Sequence, residues 1–121
     1  MKIKFKRLDH VQVCIPIGKE AEARGFYCDL LQLEEIEKPA YLQKNGGFWL
    51  KIANIQLHIG MEASNCISKR HPAFEIEDLE HTKAFLQRNN IRIKEDPPIP
   101  GFQRFSFYDP FDNRIELLEA E

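Results

Sequence analysis

Cysteine is scarce in this sequence, and the few cysteines present are not arranged as a framework. The chain of 121 residues contains three, Cys14, Cys28 and Cys66, and no two of them form a Cys-x-x-Cys pair. Disulfide-rich secreted folds and structural zinc modules need more cysteines at closer spacings. The sequence therefore predicts free thiols in a reducing cytoplasm.

Strong net charge and long apolar runs are also missing. The formal net charge is −2, and no Lys/Arg-rich block marks a phosphate-binding surface, which argues against a nucleic-acid partner. No apolar stretch is long enough to span a bilayer. The basic start MKIKFKRLD leads into a strand pattern instead of a signal-peptide core. We therefore expect a cytoplasmic protein with no membrane or nucleic-acid partner.

The sequence does contain an internal repeat of secondary structure. With 43% hydrophobic residues, 121 residues suffice for a single domain over 1–121. Alternating and helical periodicities predict a strand, a helix and three further strands in each half. In the first half these are VQVCIP, GKEAEARGFYCDLLQL, LEEIEKP, GGFWLKI and IQLHIG. In the second half they are HPAFEIE, DLEHTKAFLQRNN, IRIKE, QRFSFYD and RIELLE.

The repeat predicts an α+β fold made of two βαβββ modules, at about 8–60 and 71–119. The first helix is expected over 18–33. Asp78 is the expected N-cap of the second helix, because an Asp side chain accepts hydrogen bonds from the first N–H groups of a helix.

Four polar residues occupy equivalent positions in the two halves. His10 lies early in the first strand of its half, His71 opens the first strand of the other, and His58 aligns with Glu116 in the last strands. If the halves pair about a pseudo-twofold axis, these side chains converge. Two imidazoles and a carboxylate, with His58 as an optional third imidazole, then form a divalent-metal site. Sheets also turn polar side chains toward water, but plain exposure does not explain ligand-type residues at all four positions.

The segments LDHVQVCIP, GFYCDLLQL, HPAFEIEDLE and FYDPFDNRIELLE resemble the vicinal oxygen chelate superfamily, also called the glyoxalase/bleomycin-resistance/dioxygenase family. The resemblance covers essentially the whole chain. It implies that the two modules form a half-open barrel around a divalent metal, with zinc, nickel, manganese and iron all left open. His10, His71 and Glu116 match the family's metal ligands, and His58 occupies its variable fourth position.

The resemblance implies a divalent-metal-dependent enzyme of lyase, transferase or isomerase type, acting on a small oxygen-chelating substrate. Glu116 is then the catalytic residue as well as a ligand. Bacterial lactoylglutathione lyases carry a glutamate at the position of His58, so that activity in particular is not implied. Two alternatives stay open: a metal-free small-molecule or drug-binding protein, and an Fe(II) extradiol-type dioxygenase.

The predicted substrate-binding residues are Gln12, Trp49, His58 and Arg104, the last of which suits an anionic group. The loop EDPPIPG, which leads into the strand of Arg104, is either a lid or a proline-stiffened turn. We expect a homodimer, because the exposed edge strands of two half-open sheets need covering.

Overall fold

The computed structural model describes residues 1–63 and 67–121, and the chain divides into two compact units, Met1–Asn65 and Cys66–Glu121. The predicted free thiol of Cys66 lies outside the described residues. Within those ranges, no helix combines the length and the apolar character needed to cross a membrane. The single domain expected over 1–121 stays a prediction.

Unit 1 is a four-stranded mixed sheet with a short α-helix and π-helical turn after its first strand and a 3-10 helix, Ala40–Asn45, after its second. Its strands are β1 (His10–Pro16), β2 (Glu34–Ile36), β3 (Phe48–Ile52) and β4 (Ile55–Glu62), and its helix α1 covers Glu20–Arg24. The strand order is β1-β4-β3-β2, with β1 parallel to β4 and the other neighbours antiparallel. The sheet is open, so β1 and β2 are its edge strands.

Unit 2 repeats this order. It consists of β5 (Ala73–Glu75), α2 (Leu79–Arg88), β6 (Ile93–Glu95), β7 (Phe102–Tyr108) and β8 (Arg114–Ala120), with strand order β5-β8-β7-β6. The predicted α+β class and the βαβββ order are confirmed in both units. One boundary differs, because β5 begins at Ala73 and His71 precedes the strand. Pro72, which has no N–H to donate, separates His71 from the ladder.

Each sheet has one apolar face. In unit 1 the buried residues recur at alternate positions: Val13, Ile15, Phe48, Leu50, Leu57 and Ile59. The guanidinium of Arg24 lies over the Phe48 ring at 4.4 Å, which places α1 on this face. In unit 2 the same alternation buries Phe105, Phe107, Ile115 and Leu117. A period of two leaves the opposite face of each sheet to the polar side chains.

The first helix is not one continuous α-helix over 18–33. After α1 the chain forms a π-helical turn, Gly25–Leu30, in which the N–H of Leu31 donates to the carbonyl of Phe26 at 3.0 Å. A bond across five residues turns the chain less per residue than an α-helix does. The consecutive Phe26 and Tyr27 can therefore both point inward, and both are buried.

The start of α2 is capped from a distant strand. Asp78 is the N-cap residue, as predicted, but its side chain makes no capping hydrogen bond and its φ is +61°. Instead, Glu119 of β8 accepts hydrogen bonds from the N–H groups of Asp78 (2.7 Å) and Leu79 (3.0 Å). The prediction that the Asp78 side chain caps the helix is wrong, because this carboxylate occupies the acceptor position.

The turn DPFDN between β7 and β8 is held by its own first residue. Oδ1 of the buried Asp109 accepts hydrogen bonds from the N–H groups of Phe111 (2.8 Å) and Asn113 (2.9 Å). Oδ2 accepts from the side-chain amide of Asn113 at 2.8 Å. The turn therefore fixes where β8 starts and which of its residues reach the polar face.

Candidate functional site

The strand registers place the candidate residues in equivalent rows. In unit 1, Gln12 of β1 pairs with His58 of β4, which pairs with Trp49 of β3. In unit 2, Ala73 of β5 pairs with Glu116 of β8. Cross-strand partners share a face of the sheet. His58 and Glu116 therefore hold the same position in the two sheets, on the face opposite the apolar core.

Three rings are stacked on the polar face of unit 1. The His58 ring lies between the Trp49 ring, 4.1 Å away with an interplanar angle of 2°, and the His10 ring, 4.1 Å away with an angle of 14°. His58 is buried, with 7% of its surface exposed. We call these residues the ring stack. Both faces of the His58 ring are covered by the other two rings.

His58 is held neutral within the ring stack. Burial, and after it the neighbouring His10, lowers the pKa of His58 below its usual value. Its Nε2 lies 2.9 Å from Oε1 of Gln56, an amide oxygen that only accepts. The proton of the neutral ring is therefore on Nε2.

His10 is more exposed and is oriented by a carboxylate. Its side chain is 45% exposed, and its Nδ1 lies 2.9 Å from Oδ2 of Asp9. This hydrogen bond is the main reason why the pKa of Asp9 is lowered. Since the carboxylate accepts, Nδ1 carries a proton, and in the neutral form of the ring Nε2 presents a lone pair. Metal-binding histidines commonly donate their other ring N–H to an acceptor of this kind.

The geometry of the ring stack bears on whether His58 can share a metal with His10. An imidazole binds a metal along the lone pair, which lies in the plane of the ring. The two rings are nearly parallel and 4.1 Å apart, so a metal in the plane of one ring lies well off the plane of the other. In this arrangement His10 and His58 do not converge on one ion.

Gln12, predicted to bind substrate, lies at the exposed edge of the same face. A Cβ added at Gly60 would come within 2.7 Å of Nε2 of Gln12, so the glutamine side chain occupies the space that the glycine leaves. The Gln12 amide also approaches Sγ of Cys14 at 3.8 Å. Near this face, a cavity of about 290 Å³ is lined by Arg7, Asp9, Ile36, Lys51, Ala53, Asn54, Ile55 and Gln56.

Unit 2 brings His71 and Glu116 together. Nε2 of His71 lies 3.0 Å from Oε1 of Glu116, whose side chain is only 7% exposed. Nδ1 of His71 lies 2.8 Å from the carbonyl oxygen of Lys69, which can only accept. Nδ1 therefore carries a proton, and in the neutral form of the ring Nε2 has a lone pair facing a carboxylate. Two acceptors at this distance need a cation or a proton between them.

Two arginines surround the same carboxylate. Nη1 of Arg104 lies 3.2 Å from Oε1 of Glu116, and Nη2 of Arg114 lies 4.0 Å from it. Arg104 is thus on the polar face, but its nearest anion is Glu116. No described residue donates to Oε2 of Glu116, which leaves that oxygen for another partner.

A buried carboxylate that sequence reasoning missed anchors this group. Asp96, with its side chain 1% exposed, contacts Lys94 at 2.7 Å, Ser106 at 2.6 Å and Arg114 at 3.2 Å. Asp96 is the first residue after β6 in the loop EDPPIPG, and its contacts attach that end of the loop to the sheet. A lone Asp before two prolines carries no sequence signal for this role, because its partners come from three different strands.

The donor chemistry of His10, His71 and Glu116 fits a divalent metal. Both imidazoles present Nε2 while an oxygen acceptor holds Nδ1, and Glu116 supplies a buried carboxylate oxygen. Over residues 1–63 and 67–121, however, no three His, Cys, Asp or Glu side chains are grouped to hold one ion. The ligand set therefore stays a prediction, and the fourth histidine, His81, is exposed on α2.

The chain matches the family model of the Glyoxalase/Bleomycin resistance protein/Dioxygenase superfamily over residues 7–117. Comparison with curated proteins found no match.

Several solved structures share the fold. A Bacillus anthracis protein, provisionally described as belonging to the glyoxalase family, is 42% identical over 100% of both chains, with a TM-score of 0.92. A glyoxalase family protein from Enterococcus faecalis is 25% identical over 95% of this chain and 98% of that one, with a TM-score of 0.75. A genomically encoded fosfomycin resistance protein from Listeria monocytogenes is 20% identical over 98% and 94%, with a TM-score of 0.78, a likeness of fold alone. By the match over residues 7–117, the chain belongs to the Glyoxalase/Bleomycin resistance protein/Dioxygenase superfamily.

Proposed function

We propose that this protein is a divalent-metal-dependent enzyme of lyase, transferase or isomerase type that acts on a small oxygen-chelating substrate. The observation that carries the proposal is the pair formed by His71 and Glu116. Their acceptor atoms face each other at 3.0 Å, and the ring of His71 is fixed by a carbonyl on its other nitrogen. Adjacent ligands of one metal ion stand at about this separation when each bond is about 2.1 Å.

In this proposal His71, Glu116 and His10 hold the metal through two Nε2 atoms and a carboxylate oxygen. The metal supplies a Lewis acid that polarises a substrate oxygen. The chain's own residues do the remaining work. Glu116 is the anionic base beside the substrate, and Arg104, 20% exposed, is placed to shift from Glu116 toward an anionic substrate group.

His58 has a different role in the proposal. Because its ring is parallel to that of His10, we assign it to substrate contact and not to the ligand set. The edges of the stacked rings offer an apolar part of the substrate a surface to contact. Gln12, beside it, offers an amide donor at the open edge.

The decisive measurement is metal uptake. Protein stripped of metal is titrated with Zn²⁺, Ni²⁺, Mn²⁺ and Fe²⁺ by calorimetry, in parallel with Glu116→Gln, His71→Ala and His10→Ala. His81→Ala is the matched control, since it removes an exposed histidine from the same chain. We expect one of these ions to bind with one equivalent. The three site variants should each weaken binding by at least about 100-fold, while the control binds as the parent does.

Two outcomes would contradict the proposal. If no ion binds, the protein is a metal-free binder, and the ring stack is its recognition surface. If Glu116→Gln binds metal as tightly as the parent, Glu116 is not a ligand. Turnover of catechols by the Fe²⁺-loaded protein would instead identify a dioxygenase.

We also propose a cytoplasmic homodimer. Cys14 and Cys28 form no disulfide, in keeping with a reducing compartment, and the edge strands β1 and β2 are open to pairing. Light scattering at micromolar concentration tests the assembly, and a species of 14.2 kDa would contradict it. Mixing His10→Ala chains with Glu116→Ala chains then tests whether a site draws on two chains. Recovered metal binding in the mixture means that it does.

A further inference from the structure

Two carboxylates of unit 2 compete for one guanidinium. Nη2 of Arg114 lies 3.2 Å from Oδ1 of Asp96 but 4.0 Å from Oε1 of Glu116. The shorter distance allows a hydrogen bond, and the longer one does not. Arg114 is therefore bonded to Asp96, although it sits on β8 only two residues before Glu116.

Asp96 and Ser106 together fix the position of the Arg114 guanidinium. Oδ2 of Asp96 accepts a hydrogen bond from the hydroxyl of Ser106 at 2.6 Å, and Nε of Arg114 donates to that same hydroxyl at 3.0 Å. The guanidinium is thus fixed at two points. Burial by itself would raise the pKa of Asp96, but hydrogen bonds from Lys94 and Ser106 and the charge of Arg114 lower it overall. Asp96 stays ionised in the folded chain and keeps its partners.

The residue after Asp96 places the second arginine. The carbonyl of Pro97 accepts a hydrogen bond from Nε of Arg104 at 2.7 Å, while Nη1 of Arg104 reaches Oε1 of Glu116 at 3.2 Å. Two consecutive loop residues thus position both arginines near Glu116. Arg104 donates a hydrogen bond to Oε1 of Glu116, and Arg114 is held 4.0 Å from that oxygen.

We propose that Asp96 is a positioning residue for Glu116, which keeps the guanidinium of Arg114 off the Glu116 carboxylate and so leaves an oxygen of Glu116 for a cation. The inference rests on the proposed function, since it assigns a use to that oxygen. The reason is electrostatic. A carboxylate that accepts from two arginines is already compensated, and a divalent ion must displace one of them to bind.

The test is Asp96→Asn, which keeps the size of the side chain and removes its charge. Arg114 should then turn to Glu116, and affinity for Zn²⁺ should fall by about tenfold or more. A second substitution, Arg114→Gln in the same chain, removes the competing guanidinium and should restore affinity to within about threefold of the parent. If Asp96→Asn lowered Zn²⁺ affinity only by disturbing the fold, removing the Arg114 contact as well would not restore that affinity. Asp112→Asn is the matched control, because Asp112 is an exposed carboxylate paired with Arg92.

Crystal structures of the parent and of Asp96→Asn without metal give a readout that does not depend on the proposed function. Arg114 within hydrogen-bond distance of Glu116 in the variant supports the inference, and Arg114 unmoved overturns it. Unchanged Zn²⁺ affinity in Asp96→Asn also overturns it.

If the parent itself binds no metal, the proposed function fails, and the structures alone decide whether Asp96 positions Arg114. If Asp96→Asn does not fold, Arg114→Gln in the parent decides: affinity within about threefold supports the inference, and a tenfold loss overturns it.

Discussion

The polar faces of the two units have the same strand order and equivalent registers but opposite chemistry. In unit 1, His58 stands between two rings and has an amide as its hydrogen-bond partner. In unit 2, Glu116 at the same register position is contacted by an imidazole and a guanidinium. The centre of the first face is a stack of aromatic rings, and the centre of the second is a network of ion pairs.

The position in the sheet therefore does not by itself decide which side chain can be buried there. A buried imidazole can remain uncharged, so His58 needs no oppositely charged partner on the neighbouring strands. A buried carboxylate at pH 7 needs donors, and Glu116 has them because β7 contributes Arg104. The repeat therefore supplies two equivalent places, and the neighbouring strands determine their chemistry.

The substitution His58→Glu, which gives unit 1 the residue type of unit 2 at this position, should have the largest effect on stability. It places a buried carboxylate between two rings, with Lys38 acting on it only through its charge and donating instead to the carbonyl of Gly46, and we expect the free energy of unfolding to fall by about 3 kcal/mol without metal. Denaturant titration measures this. Gln56→Glu, on the same strand and face but more exposed, is the control and should cost under about 1 kcal/mol. Equal losses would mean that the His58 position is accessible to water.

Asp109→Ala tests the turn that sets the register of β8 in unit 2. Two backbone N–H groups and one amide lose their acceptor, so we expect a loss of about 2 kcal/mol in the free energy of unfolding. The corresponding turn of unit 1 is the two-residue connection Ala53–Asn54, with Asn54 exposed. Asn54→Ala should change stability by less than about 0.5 kcal/mol. A similar loss in both variants would contradict the role assigned to Asp109.

Gly60→Ala tests the next pair of equivalent positions, because unit 2 has Leu118 where unit 1 has Gly60. The added Cβ would meet only the flexible end of Gln12, at 2.7 Å, so we expect a loss of about 1 kcal/mol or less. The Gln12 side-chain amide signals in a ¹⁵N NMR spectrum should shift. Gly25→Ala, with nothing within 4 Å of its Cβ, should leave those signals in place.

Glu119→Gln should have the smallest effect, and one that depends on pH. Hydrogen bonds from the N–H groups of Leu79 and Asp78 lower the pKa of Glu119, so the charged form stabilises the folded chain. That contribution is fully present above the unfolded-state pKa, about 4.5, and is lost as the pH falls through the lower folded-state pKa. Unfolding curves of parent and variant should therefore differ at pH 7 and converge in acid. A constant difference at all pH values would contradict the capping role.

Much of the fold could be predicted from the sequence, because it depends on local periodicity. Alternation in IQLHIG and RIELLE fixes which residues face the core, and the two-residue turn Ala53–Asn54 fixes the pairing of Trp49 with His58. The repeat then aligns His58 with Glu116. These are short-range rules, and they hold wherever one face of a strand is buried.

Other features depend on contacts between residues distant in sequence. Glu119 caps a helix that begins 40 residues earlier, and Asp96 meets Arg114 across 18 residues. Nothing local distinguishes these acids from solvated ones. The π-helical turn after α1 could not be predicted for a different reason. The apolar residues of GFYCDLLQL have the spacing of an α-helix, so the pattern does not distinguish the two helix types.

The strand order has a consequence for the order of folding during synthesis. Among the residues that the structure describes, the first strand of each sheet is paired with the last one, β1 with β4 and β5 with β8. A nascent chain therefore emerges with its first strand unpaired, and that strand gains its partner only after the whole module has been made. In the second module the same late strand also carries the acceptor for the start of α2. Each module should thus fold in one step upon completion, and a ribosome stalled before β8 should display α2 and β5 exposed to proteases and chaperones.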